Sequence, residues 1–70
     1  MEDKMAEQIY ETVAGMIAQG IDPKLITKFI YSTNPVRTDL STDETMVLAF
    51  YPDGAVSFTQ NNLRAFLFPA

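Results

Sequence analysis

Apolar residues recur at spacings of three and four through the first stretch, MEDKMAEQIYETVAGMIAQG. Met5, Ile9, Val13, Met16 and Ile17 share one side, with Glu2, Asp3, Glu7 and Glu11 elsewhere on the turn. This period predicts an amphipathic helix over about 3–19, its acidic start matched to the helix macrodipole. Gly20 stands where a left-handed C-terminal cap is needed, and Ile21 after it is placed to fold back onto Ile17 or Met16 as in a Schellman ending. Gly15 inside the helix costs on the order of 1 kcal/mol relative to Ala, which suggests that another backbone passes close to it.

Asp22 and Pro23 then form a start signal, because the carboxylate can accept from a first-turn N–H and Pro at the first helical position loses no bond. A second helix is expected over about 23–32, with Leu25, Ile26, Phe29 and Ile30 on one side and Pro35 beyond its end. So short a connection predicts a helical hairpin. The next stretch, NPVRTDLSTDE, is polar and has no periodicity, so a connecting loop is expected over about 33–44, pinned to the core by Val36 and Leu40.

FYPDGAVSF reads as a β-hairpin: Pro52 presets φ, Asp53 suits the second turn position, and Gly54 is taken to supply the positive φ of a three-residue loop with a bulge. That geometry pairs Tyr51 with Ala55, Phe50 with Val56 and Leu48 with Phe58, in strands over about 45–51 and 55–60. Met46, Leu48, Phe50, Val56 and Phe58 then face the helices. Val47, Ala49, Tyr51, Ala55, Ser57 and Thr59 fall on the other side, a face less polar than a solvated sheet face should be. LRAFLFP, about 63–68, follows as a third strand or as one helical turn. A two-residue turn at Asn61 and Asn62 sends Ala65 and Leu67 inward and Arg64, Phe66 and Phe68 outward, and a three-residue turn reverses this.

Seventy residues allow a single domain, 1–70, that must fold economically or lean on a partner. The expected class is α+β: an N-terminal helical hairpin packed on a three-stranded antiparallel meander. Cys is absent, which removes disulfides, thiolate metal sites and cysteine nucleophiles. No apolar run reaches the roughly 18 residues that cross a bilayer, and the first residues are acidic, so a cytoplasmic location is expected. Five basic residues are scattered among nine acids, for a net charge of -4, which argues against a phosphate-tracking surface.

The chemistry-bearing residues are few. His is absent, and with it imidazole bases, the usual triads and His metal ligation. Glu7 and Glu11 lie one helical turn apart and read as solvated surface carboxylates, while DLSTDE lacks the alternation and central Gly of a calcium loop and reads as turn capping by Ser41, Thr42 or Asp43. The glycines do not form a phosphate-cradling loop. No catalytic residue, cofactor or metal is therefore expected.

What remains is the outer face of the sheet, with Val47, Tyr51, Arg64, Phe66 and Phe68 as the candidate interface. The function expected from it is non-catalytic protein binding by a small acidic adaptor, regulator or inhibitor. Its size suits a phage or mobile-element protein, and its partner is another protein or itself in a homo-oligomer built through the sheet. The alternative is a nucleic-acid-associated transcriptional regulator whose helical hairpin presents Lys24 and Lys28 to phosphate.

Overall fold

The side chain of Asp22 accepts from the N–H of Lys24 at 2.9 Å, and Pro23 follows as the first residue of a helix. The computed structural model describes residues 4–70, so the predicted start of the first helix at Asp3 lies outside the described residues. Two helices come first, α1 (Met5–Ala18) and α2 (Pro23–Ser32). Four strands follow, β1 (Arg37–Leu40), β2 (Met46–Tyr51), β3 (Gly54–Thr59) and β4 (Arg64–Pro69). They form one antiparallel sheet in the order β1-β2-β3-β4. The class is α+β, as the sequence predicts, with four strands rather than three.

Both helix C-termini are set by local chemistry. Gly20 has φ +78°, its N–H donates to the Ile17 carbonyl at 3.0 Å, and the N–H of Ile21 reaches the Met16 carbonyl at 3.0 Å. These two bonds are the Schellman pair. At the far end of α2, Asn34 takes φ +64° ahead of Pro35, which turns the chain out of the helix and into the sheet.

One apolar cluster lies between the helices and the sheet. Ala6, Ile9 and Val13 of α1 and Ile26 and Ile30 of α2 meet Val47, Ala49 and Tyr51 of β2 and Val56 and Phe58 of β3. Ala65 and Leu67 of β4 pack against its margin. Tyr51 places its hydroxyl 2.7 Å from the Thr33 hydroxyl. The Thr33 hydroxyl also reaches the Ile30 carbonyl at 2.5 Å, so two hydroxyls link the end of β2 to the end of α2. Gln60 Nε2 donates to the Thr27 hydroxyl at 3.1 Å and ties the end of β3 to α2.

Several expectations are corrected. The segment expected as a loop over 33–44 contains β1, which pairs Arg37 with Phe50 and Leu40 with Val47. As an edge strand paired with β2 alone among the described residues, it has no deeply buried face, so it shows no apolar alternation. Gly15 has no neighbour within 4 Å of where a Cβ would stand, so no backbone crosses there. Leu25, assigned to the inner side of α2, is exposed, and Ile26 and Ile30 alone are buried.

The largest correction is the hairpin register. Tyr51 pairs with Gly54, Phe50 with Ala55, Ala49 with Val56 and Val47 with Phe58, around a two-residue turn at Pro52 and Asp53. One residue of shift sends every side chain of β2 to the opposite face. Met46, Leu48 and Phe50 thus point away from the helices, and Val47, Ala49 and Tyr51 enter the core. The reason lies in what Gly54 does. Gly54 does take a positive φ, +156°, but outside a bulge, and a Cβ there would meet the Phe68 carbonyl oxygen at 2.7 Å, so glycine also permits the close approach of β4.

Candidate functional site

Side chains on the sheet face away from the helices come from all four strands. Cross-strand pairing sets Leu48 and Phe50 of β2 on one side of Ser57 and Ala55 of β3, and Phe66 and Phe68 of β4 on the other. Ser57 and Ala55 are 4% and 7% exposed although no helix covers this face, so the larger neighbours themselves shield them. The result is a shallow groove with a floor of small residues and two apolar ridges. On the β4 ridge, Phe66 is 42% and Phe68 52% exposed.

Basic groups lie at both margins. Arg37 sets its guanidinium 4.4 Å from the centroid of the Phe50 ring, a cation–π contact, and reaches the Asp39 carboxylate at 3.3 Å. Arg64 is exposed at the start of β4, where its backbone N–H donates to the Thr59 hydroxyl at 3.2 Å. Among the described residues, Arg37 with Asp39 is the only ion pair.

Of the five candidate interface residues, the structure brings Arg64, Phe66 and Phe68 together on this face. Val47 and Tyr51 are instead 0% and 5% exposed in the core, moved there by the hairpin register. Leu48 and Phe50 take their places. The signal that could have found them is the two-residue turn, because β2 is apolar at every position and its composition fits either face. The inward course of Ala65 and Leu67 agrees with an even-length turn after β3, here four residues from Gln60 to Leu63, closed with Leu63 at φ +50°.

The acidic segments have local structural roles. Ser41 donates to Asp43 at 2.8 Å, and Asp43 accepts from the Thr45 hydroxyl at 2.8 Å, closing the turn between β1 and β2. These bonds from Ser41 and Thr45 hold the Asp43 carboxyl below its ordinary 3.8. Among the described residues, no three acidic side chains are grouped so as to hold a metal ion, and no cavity forms. Lys24 and Lys28 are exposed one turn apart on α2, and no other base lies on that helix. No helix is long and apolar enough to cross a membrane among the described residues.

Comparison with family models, with curated proteins and with solved structures finds no match to this chain.

Proposed function

We propose that this chain is a non-catalytic protein-binding module, a small acidic adaptor or regulator that associates with a second copy of itself through its sheet. The observation that supports this reading is the uncovered groove of Leu48, Phe50, Phe66 and Phe68 over Ala55 and Ser57. A phenylalanine removes roughly 150–250 Å² from water when buried, so two that stand about half exposed are a standing drive for association. Acidic side chains of α1, Glu7 and Glu11, lie on the helical layer opposite this face and do not oppose contact there. The absence of Cys suits a cytoplasmic setting.

The test is light scattering coupled to size exclusion on the wild type and on Phe66→Asp, with the helical circular-dichroism signal as the control for folding. The reading expects a wild-type oligomer that Phe66→Asp converts to a folded monomer. A wild type that stays monomeric at about 1 mM, a concentration at which even millimolar affinities register, removes self-association from it.

A further inference from the structure

The free edge of β4 offers a more specific geometry than the face it borders. The N–H of Ala70 donates to the Asp53 carbonyl at 3.2 Å, which sets the phase of the β3–β4 ladder. Hydrogen-bonded pairs alternate along an antiparallel ladder, so Phe68 and Phe66 turn their backbone groups toward β3. Ala65 and Leu67 therefore turn theirs away, and among the described residues no strand pairs with β4 on that side. No backbone or side-chain partner reaches these groups among the described residues. Pro69 adds a carbonyl and no N–H.

Through its middle this edge also lacks the devices that usually keep sheet edges apart, a charge and a proline standing only at its ends, Arg64 and Pro69. Between Arg64 and Pro69 it runs Ala65, Phe66, Leu67 and Phe68, with no charge, no bulge and no internal proline. The other edge, β1, has only four residues, and two of them are Arg37 and Asp39.

We propose that β4 pairs antiparallel with β4 of a second copy, about a two-fold axis at Phe66, to make one continuous eight-stranded sheet. The inference rests on the self-association read above and names its contact. Ala65 then lies opposite Leu67 of the partner copy and Leu67 opposite its Ala65, so the free N–H and C=O groups of both residues are all used. Phe66 meets its own counterpart at a non-hydrogen-bonded position, where side chains approach closely. Arg64, which has no ion-pair partner among the described residues, lies beside Phe68 of the other copy. That pairing repeats, between molecules, the contact that Arg37 makes with Phe50 within one. A single strand pair buries less than a standard interface, so the complex belongs to the weak, concentration-dependent class.

Amide hydrogen exchange on the wild type, followed from about 10 µM to about 1 mM, reads the edge directly. The amides of Ala65 and Leu67 should slow at least tenfold across that range while the oligomer mass doubles. Because the chain has no Cys of its own, Phe66→Cys gives a second reading: mild oxidation should link two copies through that position, whose partner lies within disulfide reach. Arg64→Ala should weaken the dimer roughly tenfold through loss of two symmetric cation–π contacts. A dimer in which Ala65 and Leu67 still exchange freely, and which Leu48→Lys abolishes, overturns edge pairing and leaves face-to-face binding standing. A monomer at all concentrations overturns both.

Discussion

The carboxylate of Asp53, in the turn between β2 and β3, accepts from the backbone N–H of Ala6 at 3.1 and 3.3 Å, across 47 residues of chain. The residue at the N-cap position of α1, Lys4, has a side chain that makes no capping bond, so a strand turn supplies what the helix start lacks. A negative charge there also complements the helix dipole.

Asp53→Ala should therefore destabilise the protein by about 1 kcal/mol, equivalent to a fall of roughly 5 °C in Tm for a domain of this size. Calorimetry of the variant checks this. An unchanged Tm would show that the bond contributes nothing.

The β2 register makes neighbouring residues respond oppositely. Val47 is fully buried, so Val47→Ala should cost about 2 kcal/mol through lost contacts and the cavity left behind. Leu48 is partly buried on the outer face, and Leu48→Lys should cost about 1 kcal/mol, less than Val47→Ala. Urea denaturation midpoints decide it, and the reverse order would restore the register that the turn sequence alone suggests.

At Gly54, the added methyl of Gly54→Ala would collide with the Phe68 carbonyl, which is backbone and yields only if β4 shifts. The expected cost is about 2–3 kcal/mol, read from denaturant unfolding. Hydrogen exchange should also show faster opening of the Phe66 and Phe68 amides than of those in α2, since the damage falls on the β3–β4 ladder.

Burial raises the Tyr51 phenol above its ordinary 10.0, opposed by its bond to Thr33. A phenol whose folded value is raised is held neutral by the fold. Its contribution is present in full below about pH 10, where the unfolded chain ionises, and is lost as pH climbs through the folded value. Stability measured against pH should thus decline on the alkaline side above about pH 10, and Tyr51→Phe should remove that part of the decline while costing about 1 kcal/mol at neutral pH.

What the sequence makes legible here is what a few neighbouring residues decide. The Schellman ending at Gly20 and the Asp22 cap need only adjacent positions, and both appear as expected. The register of β2 does not, because Met46 to Tyr51 is apolar on both faces and only the turn length selects one. Pro-Asp-Gly fits a bulged three-residue loop as well as the two-residue turn found. The choice falls to contact between Gly54 and β4, which lies fourteen residues on at Phe68. The bond between Asp53 and Ala6 is invisible for the same reason, since no local pattern marks a cap supplied from 47 positions away. Of the candidate site, the outward course of Arg64, Phe66 and Phe68 follows from the even parity of the turn after β3, which the sequence leaves open between two and three residues, and the inward course of Val47 and Tyr51 follows from the turn before it.

The two edges of the sheet differ, and under the proposed pairing the difference would limit how far association can run. β1 is short and alternates Arg37 and Asp39 with Thr38 and Leu40, while β4 is six residues long and apolar through its middle. A molecule with one receptive edge is used up when it meets its mate, and growth stops at two. A molecule with two would add copies at either end without closing, which is the geometry of a fibre. On this view the charges of RTDL act as a terminator, and Asp39→Val, by opening the second edge, would turn a dimer that saturates into a polymer that does not.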